Sequence, residues 1–134
     1  MGKRFKNWKK PIIKEGKLTE YNWLVQGVEN FKLGKETDLG AFVYINAEVG
    51  VVIEDGVQVG GGTKIYSVST IDNKKGKVIL KRNCKIGANS VIMPGVTIGE
   101  NSIVGTLSFV NKDVPDNVIA CGVPAKVIKK LDNV

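Results

Sequence analysis

The chain has 134 residues and a mass of 14.5 kDa, which corresponds to a single domain. Apolar residues make up 43% and charged residues 25%, a composition that excludes a largely disordered chain. No apolar stretch approaches the roughly 20 residues of a membrane-spanning helix, and the basic N-terminus lacks the apolar core of a secretory signal. We therefore expect a cytoplasmic protein with no membrane partner.

The sequence contains no histidine, and this excludes several kinds of catalytic site. Ser-His-Asp and Cys-His nucleophile pairs cannot form, nor can a zinc site with three His ligands. The two cysteines, Cys84 and Cys121, are too few for a disulfide framework or a four-cysteine metal site, and they suit a reducing compartment. We expect no bound metal.

Positive charge is concentrated near the N-terminus, where residues 1–17 carry a net charge of +6 out of +7 for the whole chain. Such a segment can bind nucleic acid, but a solvated lead-in segment is the more common explanation. We expect Trp8, Tyr21 and Trp23 to pack this segment onto the domain. Residues 1–30 are therefore interpreted as a basic capping segment, and a nucleic-acid partner is the less favoured alternative.

A six-residue period organises most of the chain. From residue 80 onward an aliphatic side chain recurs at every sixth position, and a small or β-branched residue stands two positions before each one. The aliphatic residues are Leu80, Ile86, Ile92, Ile98, Val104 and Val110, and the preceding residues are Val78, Cys84, Ser90, Val96, Ser102 and Ser108. An earlier run slips by two residues after its third member and comprises Leu33, Leu39, Ile45, Ile53, Val59, Ile65 and Ile71.

This period predicts an all-β fold, a parallel β-helix. Each hexapeptide forms one short strand and a corner, and three hexapeptides complete a triangular coil. Coils stack about 4.8 Å apart, so side chains 18 residues apart should stack, with Ile86 against Val104 and Leu80 against Ile98. Apolar residues in 78–110 do not follow helical spacing, and a β-sandwich would not keep a fixed period.

We predict a β-helix over residues 31–113, with a loop at 72–77 and a C-terminal strand and tail over 114–134. The four predicted coils lie at about 31–48, 49–71, 78–95 and 96–113. The C-terminal part should contain a strand at 118–121, followed by a short helix or tail at 124–131 that begins with Pro124. Because the prism faces are flat, we expect three chains to pack as a homotrimer.

Three segments resemble motifs of the hexapeptide-repeat acetyltransferases that act on galactosides, maltose and nucleotide-linked amino sugars. They are Lys85–Gly99 (KIGANSVIMPGVTIG), Val104–Pro115 (VGTLSFVNKDVP) and Gly122–Ile128 (GVPAKVI). The resemblance covers about residues 31–131. It implies a left-handed parallel β-helix and a trimeric transferase that binds acetyl-CoA in a cleft between neighbouring prisms.

The resemblance also implies cofactor-binding residues by position. Small residues that follow Ile-Gly and Val-Gly contact the cofactor in relatives, and here these are Ala88 and Thr106. The lysine before Asp-Val-Pro is Lys112. Basic residues of the C-terminal motif meet the phosphates, and here these are Lys126 and Lys129. Clustered lysines on a rigid frame would attract the several negative charges of a 3′-phospho-ADP group.

Relatives usually place a catalytic histidine near the segment that here reads Tyr66–Asp72, or after the Ile-Gly-small stretch, where this chain has Asn89. A missing base favours an amine acceptor over a hydroxyl, because a neutral amine can attack before it loses a proton. We therefore predict acetyl transfer to an amine of a sugar or nucleotide-sugar. Asn89 would hold the acceptor or donate a hydrogen bond to the oxyanion, although a turn residue at a prism corner explains it equally well.

Other assignments stay open. Asp72, Glu48 and Glu54 are candidate carboxylate bases near corners of the second coil, although each is more commonly a surface charge. An acyl carrier on Cys84 or Cys121 is less favoured because no histidine is present to form a thiolate. For the whole protein, the alternative is a non-catalytic β-helix scaffold or ligand-binding module.

Overall fold

The computed structural model describes residues 6–132. Short strands dominate these residues, and the helical content is a 3-10 turn at Val28–Asn30. The strands are β1 (Leu24–Gln26), β2 (Phe31–Leu33), β3 (Asp38–Leu39), β4 (Tyr44–Asn46), β5 (Val51–Ile53), β6 (Gln58–Val59), β7 (Lys64–Tyr66), β8 (Val68–Ser69), β9 (Lys74–Lys75), β10 (Val78–Leu80), β11 (Lys85–Ile86), β12 (Val91–Ile92), β13 (Thr97–Ile98), β14 (Ile103–Val104), β15 (Phe109–Val110), β16 (Val118–Gly122) and β17 (Ala125–Lys130). No helix among the described residues is long and apolar enough to cross a membrane.

Three sheets of parallel strands form the sides of a prism. Face A contains β1, β4, β7, β12 and β15, face B contains β2, β5, β10 and β13, and face C contains β3, β6, β11, β14 and β16. Apart from the β8–β9 excursion, successive strands pass from face A to face B to face C, so the chain winds around one axis. The predicted parallel β-helix is confirmed.

The core is a column of side chains inside this prism. The register pairs Ile86 with Val104 and Leu80 with Ile98, as the period predicts. All twelve repeat residues from Val78 to Val110, including Ser90, Ser102 and Ser108, are at most 3% exposed. The hydroxyl groups of Ser90 and Ser108 donate hydrogen bonds to the Gly105 carbonyl, at 3.2 and 2.6 Å. Small polar side chains therefore fit inside the prism because a corner carbonyl accepts their hydrogen.

Coil length varies along the prism. Paired residues on face A are 20 apart from Leu24 to Tyr44, 27 apart from Lys64 to Val91, and 18 apart from Val91 to Phe109. The long coil contains an antiparallel hairpin, β8–β9, which projects from the prism. The prediction that Ile71 continues the inward series is wrong, since Ile71 lies in the hairpin turn and is 97% exposed. The polar run 72–75 that follows cannot be buried, and this forces the chain out of the coil.

The N-terminal segment packs against the first coil, and Lys3 and Arg4 of its basic run lie outside the described residues. The Trp8 indole N–H donates to the Thr37 carbonyl at 2.8 Å, and the Gly16 N–H donates to the Val25 carbonyl at 2.8 Å. Trp23 is 2% exposed. The Glu15 carboxylate accepts the Gly27 and Val28 N–H groups, and these hydrogen bonds, led by that from Val28, lower the pKa of Glu15.

The C-terminal segment corrects the prediction of a helix or tail at 124–131. Residues Ala125–Lys130 form β17, which pairs antiparallel with β16 on face C. The pairing supplies hydrogen-bond partners for an otherwise open edge strand. The β-branched pair Val127 and Ile128 also favours an extended conformation.

We expect Gly87→Ala to lower the free energy of unfolding by about 2–3 kcal/mol, because coils stack too closely there for a side chain. A Cβ on Gly87 would lie 2.4 Å from the Thr106 backbone nitrogen. Gly61→Ala is the matched control, since the nearest atom to its Cβ is the Ala41 carbonyl oxygen at 3.1 Å. Urea denaturation compares the two variants, and equal losses of stability would contradict the stacking argument.

Candidate functional site

A shallow groove of about 330 Å³ runs along the outer surface of face C. Its floor is formed by backbone, because glycines follow the face C strands at Gly60, Gly87 and Gly105. A Cβ on Gly60 would lie 2.4 Å from the Ala88 backbone nitrogen, so no side chain can cover this edge. The side chains of Gln58, Lys85 and Ile103 also line the groove.

The structure brings Ala88 and Thr106 together in this groove. They occupy equivalent positions one coil apart, and the Leu107 N–H beside Thr106 donates to the Ala88 carbonyl at 3.0 Å. Lys112 does not join them. It is exposed and follows β15, between face A and the Val114 bridge to face B.

Lys126 and Lys129 lie on the same outer side of face C, and a β-bulge places them there. Lys126 pairs with Cys121 and Lys129 pairs with Ile119, while Ile128 is skipped in the register. Residues paired across antiparallel strands project from the same side of a sheet. Without the bulge, residues three apart would project to opposite sides. Strand β17 is two strands beyond β14, so these lysines lie roughly 10 Å past the groove.

Asn89 lies at the corner between faces C and A and is exposed. Its φ of 57° is left-handed, and its N–H donates to the Gly61 carbonyl at 3.0 Å. Its side-chain oxygen occupies the space above Gly62, 2.1 Å from where a Cβ would stand. Asn83 repeats this geometry at another corner, with φ 61° and the same 2.1 Å relation to Gly56. Turn geometry alone is therefore sufficient to explain asparagine at position 89.

A second groove, of about 660 Å³, lies between face A and the β8–β9 hairpin. Tyr44, Tyr66 and Phe109 form an aromatic side, and the Tyr44 and Tyr66 ring centroids are 5.7 Å apart. Glu48 and Asp72 line the same groove. These aromatic residues are not among the site residues predicted from the sequence. The sequence does place each of them next to an inward aliphatic residue, since Tyr44 precedes Ile45 and Tyr66 follows Ile65. Neighbouring residues of a strand face opposite sides, so these aromatic side chains face outward.

The candidate carboxylate bases have different surroundings. The Ser69 hydroxyl donates to Asp72 at 2.5 Å, and this hydrogen bond, assisted by the Lys74 ammonium 3.6 Å away, lowers the pKa of Asp72. A lowered pKa makes Asp72 a weaker base and keeps it ionised near neutral pH. Glu54 accepts the Arg82 N–H at 3.0 Å and lines neither groove described above.

The two cysteines also differ. Cys84 is fully buried at a repeat position, and burial, followed by the negative charge of Glu54, raises its pKa to about 12. It is therefore a neutral core thiol near pH 7 and a poor acyl carrier. Cys121 is partly buried and continues the glycine edge, since a Cβ on Gly105 would lie 2.7 Å from the Cys121 Cβ. Among residues 6–132 there is no group of three metal-ligating side chains.

Comparisons with known proteins identify the class to which this fold belongs, the left-handed parallel β-helix proteins. The family "Bacterial transferase hexapeptide (six repeats)" matches residues 77–112, and "Hexapeptide repeat of succinyl-transferase" matches residues 32–67. The hexapeptide-repeat containing acetyltransferase of Vibrio cholerae, solved with acetyl coenzyme A, is 28% identical with a TM-score of 0.78, covering 83% of this chain and 66% of that one.

Two further similarities specify the family. Galactoside O-acetyltransferase of Lactococcus lactis is 34% identical over an alignment of 115 positions that covers 75% of this chain and 56% of that protein. An N-acyltransferase of Bacillus cereus, solved with dTDP and 3-hydroxybutyryl-CoA, is 30% identical with a TM-score of 0.60, covering 83% of this chain and 70% of that one. The chain belongs to the hexapeptide-repeat acetyltransferase family, and it spans little more than half the length of the galactoside O-acetyltransferase it matches.

We expect Cys84 to resist thiol reagents in the folded protein at pH 8, because its raised pKa leaves almost no thiolate. A Cys121→Ser background isolates its signal, since the chain has two cysteines. Labelling with a chromogenic disulfide reagent should proceed only after denaturant is added. Rapid labelling of the folded variant would show that Cys84 is accessible and ionisable.

Proposed function

We propose that this chain forms a CoA-dependent acyltransferase that transfers acetyl from acetyl-CoA to an amine of a sugar or nucleotide-sugar. One observation supports the binding of acetyl-CoA most directly. The face C groove has an open backbone floor, and the sheet that carries it ends in two lysines held on the same side by the β17 bulge. The relatives solved with acetyl coenzyme A and 3-hydroxybutyryl-CoA support the same assignment.

The cofactor would lie lengthwise on face C. Ala88 and Thr106 would contact the pantetheine arm, since small side chains let a ligand approach the glycine edge. Lys126 and Lys129 would meet the phosphates, which are strong acceptors for charged N–H donors. Lys112 lies at a different prism edge, so it would reach cofactor bound between two prisms of a homotrimer. Light scattering should then give three times 14.5 kDa, and a monomer mass would contradict the trimer.

The acceptor amine would attack the thioester carbonyl carbon through its lone pair. The carbonyl oxygen then gains negative charge, and collapse of this intermediate breaks the C–S bond and releases CoA thiolate. The nitrogen loses its extra proton to water or to that thiolate, which becomes CoA thiol. In this scheme the Asn89 amide N–H stabilises the oxyanion. Asp72, a carboxylate whose pKa is lowered from its ordinary value, suits attraction of an ammonium group better than proton removal.

We expect calorimetric titration to show acetyl-CoA binding that weakens for 3′-dephospho-CoA. Lys126→Gln and Lys129→Gln should each weaken binding about 5- to 10-fold, in line with loss of one partly solvated charged contact. Lys130→Gln is the matched control, because Lys130 pairs with Val118 and projects from the opposite side of β17. Equal effects of all three variants would indicate a general charge effect, and no binding to wild-type protein would overturn the cofactor assignment.

We expect Asn89→Gly to lower kcat for amine acetylation about 100-fold, the usual loss for one oxyanion donor. Glycine keeps the left-handed backbone that alanine would strain. Asn83→Gly removes an asparagine from the same local geometry at another corner and should leave kcat unchanged. Steady-state kinetics measure kcat and thermal melts measure stability, so the two together distinguish loss of the oxyanion donor from destabilisation of the turn. Equal kcat for both variants would assign Asn89 to turn formation alone.

A ligand-binding β-helix without turnover is the second candidate. It is favoured by the turn geometry, with which a purely structural role of Asn89 is compatible, and by the weakened basicity of Asp72. Both candidates predict cofactor binding, but only the transferase predicts release of CoA thiol. Incubation of the protein and acetyl-CoA with a panel of amino sugars, followed by thiol detection, distinguishes them.

A further inference from the structure

A separate cavity of about 280 Å³ lies where the N-terminal segment meets the first coil. Three of its ten lining residues are aromatic. Trp8, Tyr21 and Trp23 line the cavity, and Trp8 and Trp23 are the two tryptophans of the chain. Trp23 is 2% exposed and belongs to the core, whereas Tyr21 is 52% exposed. The cavity therefore has one aromatic residue anchored in the core and one that is largely open to solvent.

Hydrogen bonds hold the cavity in place. Trp8 is tied to the prism through its indole N–H and the Thr37 carbonyl at 2.8 Å. The Thr19 N–H donates to the Trp23 carbonyl at 2.8 Å, and the Thr19 hydroxyl accepts the Tyr21 N–H at 3.2 Å. A site built in this way loses little conformational freedom when a ligand binds.

The charge around the cavity is mainly positive. Lys6 and Lys9 line it together with one carboxylate, that of Asp38. Both lysines belong to the basic segment, so a long-range positive field reinforces the local one. Aromatic faces bind flat rings by stacking, and ammonium groups bind phosphates. A ligand that combines a flat ring with an anionic group matches both features.

We propose that this cavity is a nucleotide site, in which the base stacks on Trp8 and Tyr21 and the phosphate lies against Lys6 and Lys9. The cavity adjoins the groove proposed for the cofactor, because Asp38 lines both. The residues that would bind the nucleotide, namely the two lysines and the aromatic residues, do not line that groove. The cavity volume suits part of one nucleotide rather than a strand, since it falls just below the 300–1,000 Å³ usual for small-molecule sites.

Intrinsic fluorescence provides a direct test, because both tryptophans line the cavity. Titration with AMP should change tryptophan emission in a saturable way, whereas adenosine and inorganic phosphate should each bind at least tenfold more weakly. A saturating concentration of acetyl-CoA should leave the AMP titration unchanged, and so should Lys126→Gln. Loss of acetyltransferase activity in a separate assay would not affect this result, so the two proposals can fail independently.

Substitutions of cavity residues test whether AMP binds at this position. Lys6→Gln and Lys9→Gln should each raise the AMP dissociation constant about 5-fold, and Tyr21→Ala should raise it about 10-fold through lost stacking. Lys10→Gln is the matched control, since Lys10 is an exposed neighbour that does not line the cavity. Equal binding of AMP and adenosine, tighter binding of a neutral methyl glycoside or an oligonucleotide, or an equal effect of Lys10→Gln would each overturn the proposal.

Discussion

Close stacking of the coil corners is the constraint on which the rest of this structure depends. Parallel strands pair at a fixed spacing, so each corner must leave room for the backbone of the next coil. At Gly60 and Gly87 the next backbone nitrogen lies 2.4 Å from where a Cβ would stand. The same absence of side chains creates the open floor of the face C groove. Stability and ligand access therefore originate in the same residues.

Departures from regular winding supply surface features that the regular glycine edge of face C does not. Where the repeat is unbroken, outward positions form flat faces with few concave surfaces. The β8–β9 hairpin, the β17 bulge and the N-terminal segment each interrupt that regularity, and each creates a distinct feature. The hairpin encloses the aromatic groove against face A, the bulge aligns Lys126 with Lys129, and the segment encloses the tryptophan cavity.

The inward half of this fold was predictable from sequence, because the interior admits few residue types and repeats them every six positions. Ile71 shows the limit of that argument. It fits the period, yet local polarity at 72–75 and the Val68–Lys75 pairing remove it from the coil. The strand β17 was missed because its partner strand, not its own sequence period, determines its conformation. The Lys126–Lys129 alignment also depends on a register shift that the spacing cannot reveal.

Asn89 illustrates why a site residue is harder to predict than a core residue. A corner needs a left-handed backbone, and asparagine is among the few residues other than glycine that adopt it readily. Asn83 satisfies that need in the same way, with the same side-chain relation to a glycine one coil away. Leu107, at φ 62°, shows that the fold also tolerates a bulky residue at a comparable corner. The geometry at 89 therefore permits asparagine without requiring it, and any catalytic contribution has to come from its amide group toward a bound ligand.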